Sequence, residues 1–206
     1  MSTFLQMRTK IADYLDRSDL SSQINDAINR AIEYYEKERF WFNEKTGTFA
    51  TVANTKNYSS AGGVPTDIAE IDYVEVTQSG KEYEVEPRTY NYIKRPQGYD
   101  VTGLPKYYAF YQENFYLDPI PNAIYTITIS YQQKYTALSA DGDSNDFTTD
   151  AEDLIEARAL WWLYGRIIKD KELADSAKQD ELNALSSLRE KTRKLIATGY
   201  VRPTSF

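Results

Sequence analysis

A short acidic segment in the last third of the chain carries the side-chain oxygens that calcium prefers. Acidic or amide residues take its first, third and fifth positions and a glutamate its twelfth: Asp141, Asp143, Asn145 and Glu152. This order is typical of a loop that wraps a calcium ion. The sixth position, which needs glycine, is Asp146, and the preceding residues predict a strand instead of a helix. We therefore interpret the segment as a solvated loop in which Thr149 and Glu152 form a capping box, with calcium binding as the alternative.

Three glutamates alternate with apolar residues along one predicted strand: Glu82, Glu84 and Glu86. Glycosidases use two carboxylates about 5–10 Å apart, and residues two apart on a strand share a face. The same alternation is typical of any strand with one face in water. We favour this structural interpretation, since the sequence identifies no second partner for catalysis.

Tyrosine is abundant, with 18 of 206 residues. Seven lie between residues 107 and 135: Tyr107, Tyr108, Tyr111, Tyr116, Tyr125, Tyr131 and Tyr135. Tyrosines on an open sheet can stack on sugars or bases, but they more often fill half-buried positions or anchor protein–protein contacts. We expect core packing and subunit contacts. The alternative is a carbohydrate-binding or carbohydrate-active module that uses this sheet and the acidic residues.

The chain has no cysteine and no histidine, two residue types on which much enzyme and metal chemistry depends. This excludes disulfides, thiolate zinc sites, Ser-His-Asp catalysis and imidazole metal ligands. An enzyme would have to use carboxylates, Lys, Tyr, Ser or Thr. We expect no enzymatic activity, no cofactor and no metal.

The charge balance is acidic, with 24 Lys and Arg against 31 Asp and Glu and a formal net charge of −7. General nucleic-acid binders instead cluster basic residues against phosphates. The densest basic group, residues 189–194, falls at the end of a predicted helix, where positive charge suits the helix dipole. No apolar run approaches the ~18 residues of a membrane span. We expect a soluble protein made in a cytoplasm, with no membrane contact.

Helical periodicity marks the beginning of the chain. Thr3 and Gln6 fit a capping box, and an apolar stripe follows it: Phe4, Met7, Ile11 and Tyr14. A second stripe begins at Ile24 and predicts a helix that ends near Phe40. The short polar break between the two predicts an antiparallel helical hairpin.

The period changes to that of strands between residues 48 and about 135. Ser79-Gly80 and Gln112-Glu113-Asn114 predict the turns of two hairpins, and Tyr125–Tyr131 is the clearest strand. Residues 87–96 are ambiguous and have room for a helical turn.

The last third is helical again. Leu154–Ile168 is apolar on nearly all sides and predicts a buried helix, and Leu173–Ile196 predicts the next one. Gly199 is the expected stop, and Tyr200–Phe206 is predicted to be an extended arm. Trp161 and Trp162 point about 100° apart on their helix, so one can face the core while the other meets another element or subunit.

These elements predict an α+β fold, in which N- and C-terminal helical hairpins pack together and an antiparallel β unit is inserted between them. The predicted segments are an N-terminal hairpin (1–45), the β unit (46–140), a C-terminal hairpin (141–198) and an extended C-terminal arm (199–206).

Several short motifs follow one another along this order of elements: Phe40-Trp41-Phe42, Val64-Pro65-Thr66-Asp67, Gly103 to Tyr108, Phe115 to Pro121, and Tyr135 to Ser139. Their order and spacing resemble those of the head-to-tail adaptor (connector) proteins of tailed bacteriophages, including the tail tubular proteins under the portal of short-tailed phages. The resemblance covers most of the chain and rests on structural motifs. The large β insert departs from the helix-rich members of the family.

The resemblance implies a structural virion protein at the head–tail junction. Such adaptors form a ring, commonly of twelve copies, that docks to the portal protein, receives a tail or nozzle protein and lets the genome pass. Twelve copies with a net charge of −7 each carry 84 negative charges together, and an acidic lumen would repel DNA phosphates so that DNA slides without specific binding.

A ring requires head-to-tail contacts that close by rotation. The surplus tyrosines and a second tryptophan face are suitable material for them. In the resembling family, C-terminal arms often reach the portal, and an extended arm can become ordered on docking. The predicted partner-contact residues are therefore Trp162, Tyr200, Val201, Arg202 and Phe206.

Overall fold

A computed structural model describes residues 2–94 and 100–196 of the chain. The chain divides into a helical unit, formed by the residues up to Asn43 and from Tyr135 onward, and a β unit from Glu44 to Lys134. Along the chain, helices precede and follow a region of mainly antiparallel sheet, and the predicted α+β class is confirmed.

Six α-helices lie within the described residues: α1 (Phe4–Leu15), α2 (Ser21–Tyr35), α3 (Tyr90–Ile93), α4 (Asp146–Asp150), α5 (Glu152–Leu163) and α6 (Lys171–Ile196). All except α3 belong to the helical unit. A π-helical turn, Tyr164–Ile168, follows α5 directly. Among the described residues, no helix combines the length and the apolar character needed to cross a membrane.

The helix α5 forms the centre of the helical unit and contacts α1, α2, α4 and α6. Because its sequence is apolar on most sides, Leu154, Ile155 and Leu163 are fully buried. The apolar stripes of α1 and α2 share this core, as their spacing predicts.

The ends of the first two helices show one confirmed and one wrong prediction. Thr3 and Gln6 form the expected capping box at the start of α1. The second helix does not extend to near Phe40 but ends at Tyr35. The reason lies in Asn43, whose buried side chain accepts a hydrogen bond from the Phe40 amide at 2.9 Å and donates one to the Glu38 carbonyl at 2.8 Å. These two bonds stabilise a turn that places Phe40 in the core.

The capping box predicted for Thr149 and Glu152 is wrong. Asn145 caps the short helix α4 instead, in a capping box with Thr148. The next helix, α5, begins at Glu152 without a side-chain cap. The chain turns earlier than expected because Phe147 is fully buried in the aromatic part of the helical core.

Within its described residues, 44–94 and 100–134, the β unit contains ten strands: β1 (Glu44–Ala50), β2 (Asn57–Tyr58), β3 (Ile68–Gln78), β4 (Lys81–Glu84), β5 (Glu86–Pro87), β6 (Thr102–Gly103), β7 (Tyr107–Tyr111), β8 (Asn114–Asp118), β9 (Ile120–Pro121) and β10 (Thr126–Gln133). Sheet 1 has the strand order β1-β10-β3-β4 and is antiparallel throughout. Sheet 2 has the order β2-β8-β7-β5. The two-residue pairings of β5 with β7 and of β6 with β9 are parallel, unlike the predicted antiparallel pattern.

Both predicted hairpins are confirmed. Ser79 and Gly80 join β3 to β4 with φ angles of 51° and 76°, and Gln112 and Glu113 join β7 to β8 with φ angles of 51° and 57°. Two consecutive positive φ angles fit the right-handed twist of the flanking strands.

The two sheets share one apolar core. Phe49 of sheet 1 and Phe115 of sheet 2 lie 5.6 Å apart, measured between ring centroids. Alternate residues of β3 and β10 point into this core: Val74, Val76, Ile127 and Ile129. The β unit is therefore a small sandwich, and the outer faces of its sheets lie on opposite sides.

Candidate interaction surfaces

The acidic segment that resembles a calcium loop is held by partners within the chain. The Asp143 carboxylate accepts hydrogen bonds from the backbone amides of Ser139 and Ala140, both at 2.8 Å. These bonds, led by that of Ser139, lower the pKa of the Asp143 carboxyl below its usual value. Asp141 forms an ion pair with Arg8 at 2.6 Å.

The twelfth residue of the segment is also paired. The Lys10 ammonium lies 3.4 Å from the Glu152 carboxylate and 2.8 Å from that of Glu156. These contacts, chiefly the hydrogen bond to Glu156, raise the pKa of Lys10. Nowhere in residues 2–94 and 100–196 do three His, Cys, Asp or Glu side chains come together as a metal site. The segment serves as a turn and a helix start in this structure.

The three alternating glutamates do not share one strand. The chain crosses between the sheets at the buried Val85, so Glu82 and Glu84 lie on β4 of sheet 1 while Glu86 lies on β5 of sheet 2. Glu86 forms an ion pair with Arg88 at 2.6 Å. The prediction of a single strand is therefore wrong, and a convergent glycosidase pair has no support.

The outer face of sheet 1 carries hydroxyl and carboxylate groups. Glu75 and Glu84 are directly opposite each other on β3 and β4, and Glu82 lies on the same face opposite Thr77. Desolvation raises the pKa of the adjacent Tyr73 phenol, and these three carboxylates raise it further. We call this surface the acidic face. Its other members come from β1 and β10: Thr46, Thr48, Thr126, Thr128 and Ser130.

The outer face of sheet 2 carries a cluster of tyrosines. The Tyr90 ring of α3 stacks on Tyr111 with 4.3 Å between centroids, and it meets Tyr116 edge-on at 4.9 Å. Tyr92 meets Tyr107 edge-on at 5.8 Å. We call these five residues the tyrosine face.

Two cations lie over the rings of the tyrosine face. The Arg88 guanidinium is 4.7 Å from the Tyr107 ring centroid, and the Lys94 ammonium is 5.4 Å from that of Tyr90. Tyr92 and Tyr111 are nevertheless 44% and 45% exposed. Exposed tyrosines next to a cation are typical of protein-binding surfaces.

The tyrosines chosen from the sequence lie in three places. Tyr108, Tyr125 and Tyr131 are buried in the core of the β unit. Tyr107, Tyr111 and Tyr116 lie on the tyrosine face, and Tyr135 packs against the helical core. Sequence reasoning missed Tyr90 and Tyr92 because it left residues 87–96 unassigned. The side chain of Thr89, which caps α3, is the local signal for this helix.

The two tryptophans on α5 lie in different surroundings. Trp162 is half-buried against the helical core, with the Arg30 guanidinium 5.5 Å from its ring. The Arg158 guanidinium lies 4.4 Å from the Trp161 ring centroid, and the Lys178 ammonium lies 5.3 Å from it. The other predicted contact residues, Tyr200, Val201, Arg202 and Phe206, lie outside the described residues, as does the stop predicted at Gly199.

A buried charged network that the sequence does not signal joins α2, α5 and α6. The Glu181 carboxylate is 1% exposed and accepts hydrogen bonds from Tyr35, Arg158 and Lys178 at 2.5, 3.1 and 2.9 Å. Burial raises the pKa of the Tyr35 phenol, and the Glu181 carboxylate raises it further. Because these bonds join α2 and α5 to α6, the network stabilises the helical unit.

These features are those of a protein that works through protein surfaces. An aromatic and cationic face lies on one side of the β sandwich, an acidic face lies on the other, and the buried Glu181 of the helical unit is paired with Arg158 and Lys178. The model of the SU10 adaptor protein family matches residues 2–204. The chain therefore belongs to this family of phage head-to-tail adaptors, and the predicted resemblance is confirmed.

The family match spans both structural units and identifies the chain as a structural phage adaptor of the virion. Among curated proteins, no match is strong enough to add a named relative.

Proposed function

We propose that twelve copies of this chain form a ring between the portal and the tail of the virion, and that the genome passes through the ring. The observation that carries the proposal is the adaptor-family match over residues 2–204. The protein acts by assembly and without catalysis, and its partners are its own copies, the portal protein and a tail or nozzle protein.

The net charge of −7 per copy supports the passage of DNA. A ring of acidic copies repels phosphates, so the genome moves through without specific binding. No basic groove is needed for this role, and the tyrosine face and Trp162 offer apolar surface for contacts between proteins.

Electron microscopy of the protein mixed with its portal protein tests the proposal. We expect a closed ring of this chain on one end of the portal, and particles that contain both proteins in size-exclusion chromatography. The portal alone is the control for ring symmetry. A chain that does not bind the portal, or is absent from purified virions, would refute the proposed function.

A further inference from the structure

We propose that the acidic face of one copy packs against the tyrosine face of the next copy in the ring. This inference rests on the proposed ring and specifies the contact that builds it. The two faces are the outer surfaces of sheets 1 and 2, so each copy offers both partners of the contact.

The position of the faces has a geometric consequence. They lie on opposite sides of one sandwich, whose sheets meet through rings such as Phe49 and Phe115. A contact between opposite sides of identical copies is head-to-tail, and it produces a ring when its rotation closes. A contact between two identical faces would produce only a closed pair.

The acidic face needs a cationic partner. Glu75 and Glu84 are opposite each other on adjacent antiparallel strands, an arrangement that is unfavourable for like charges. No Lys or Arg is among the outward-facing residues of the paired segments of sheet 1. These segments are Thr46–Ala50 of β1 and the residues of β10, β3 and β4 that lie in register with them. The face is also rich in threonine hydroxyls, so it can accept the hydrogen bonds that tyrosines and cations donate.

The tyrosine face has the complementary chemistry. Lys94 and Arg88 lie on its rings and can donate hydrogen bonds to carboxylates, although Glu86 already pairs with Arg88. The half-exposed rings of Tyr92 and Tyr111 supply apolar area with hydroxyl donors at its edge. Opposite local charges also orient copies that repel each other overall, because each has a net charge of −7.

A charge-swap experiment tests the contact. One variant reverses the acidic face (Glu75→Lys, Glu82→Lys, Glu84→Lys), and the other reverses the tyrosine face (Arg88→Glu, Lys94→Glu). We expect each variant alone to lose ring formation on the portal by at least about tenfold, because like charges then oppose each other. An equimolar mixture of the two should recover rings, since each reversed face then meets an oppositely charged one.

A control variant separates this effect from a change in net charge. Glu172→Lys with Asp175→Lys reverses two exposed charges at the start of α6, and it should form rings like the wild type. Circular dichroism and urea unfolding of every variant establish that it is folded. Rings formed equally by all variants would overturn the inference and leave the proposed function intact. Failure of the wild type to form a ring on the portal would instead refute the proposed function, and the inference with it.

The absence of cysteine from the chain permits a second, independent test. Thr48→Cys places a thiol on the acidic face, and Asn91→Cys places one on α3 beside the tyrosine rings. With a short bismaleimide added to portal-bound rings, a mixture of the two variants should give about tenfold more crosslinked dimer than either variant alone. Asp175→Cys on α6 is the control partner. Equal crosslinking of Thr48→Cys to either partner would contradict the proposed contact.

Discussion

The hydroxyl of Tyr35 on α2 donates a 2.5 Å hydrogen bond to the buried carboxylate of Glu181 on α6. The two residues are 146 positions apart in the sequence, so this bond joins the first part of the helical unit to the last. Arg158 on α5 and Lys178 on α6 also donate to Glu181. The carboxylate therefore accepts hydrogen bonds from residues of three helices.

Removal of Glu181 should destabilise the helical unit strongly. We expect Glu181→Leu to lower the free energy of unfolding by about 3–5 kcal/mol, because Arg158 then loses its buried counter-charge. Tyr35→Phe should cost less, about 1–2 kcal/mol, since the two cations remain on Glu181. Urea unfolding followed by circular dichroism measures both. Glu190→Gln, which removes only an exposed pair with Lys194, should leave the midpoint unchanged, and a loss as large as that of Glu181→Leu would contradict this account.

The predictability of the fold differs between local and long-range features. Helical spacing in α1 and turn residues in the β3–β4 and β7–β8 hairpins are local signals, and the structure agrees with them. Glu181 stands in an otherwise polar part of α6, and only the distant Tyr35 and Arg158 explain its burial. The tyrosine face was missed for a different reason: residues 87–96 were left ambiguous, so α3 and its packing on β7 and β8 were not predicted.

The crossing between sheets was also invisible in the sequence. Glutamates and apolar residues alternate without a break from Glu82 to Glu86, and no local signal marks the passage from sheet 1 to sheet 2 at Val85. The change becomes clear only because Val85 is bonded to Val74 of sheet 1 while the next residue, Glu86, is bonded to Lys106 beside sheet 2. Alternation predicts the side on which a residue lies but leaves the identity of the neighbouring strand open.

Calcium should not change the stability of this protein. The carboxylates of Asp141, Asp143 and Glu152 already have partners within the chain. We expect equal melting temperatures in calcium and in chelator, both for the wild type and for Asp141→Asn with Asp143→Asn. A calcium-dependent rise that chelator reverses, and that the double variant lacks, would establish the calcium alternative.

Acid should remove the contribution of Asp143. Its folded-state pKa lies below the usual value because backbone amides donate to the carboxylate, so its stabilising effect is complete above the unfolded pKa of about 3.9. The effect is lost as the pH falls through the folded pKa. The difference in unfolding free energy between the wild type and Asp143→Ala should therefore be constant above about pH 5 and shrink below it. A difference that grows on acidification would contradict this assignment.

Trp162 should matter more for assembly than for folding. Its ring packs against the helical core under Arg30 without being fully buried, so we expect Trp162→Ala to lower the free energy of unfolding by less than the ~3–5 kcal/mol typical of a core tryptophan. Ring formation on the portal should be lost at a concentration where the wild type assembles. Trp161→Ala, one position away on the same helix, is the control for assembly and should keep ring formation, although it removes the ring beside Arg158 and Lys178. Full loss of the folded state in Trp162→Ala would show that this residue belongs to the core.

The C-terminal arm should bind a partner and contribute little to the fold. The described part of α6, Lys171–Ile196, packs along α5. We expect deletion of Tyr200–Phe206 to leave the urea midpoint unchanged and to weaken binding to the portal, measured by co-sedimentation. A variant that keeps the length of the arm but carries Tyr200→Ser, Arg202→Ser and Phe206→Ser separates side-chain contacts from chain length, because it should bind as weakly as the deletion. If the deletion unfolds the protomer, the arm belongs to the helical core and its assignment to the portal contact is wrong.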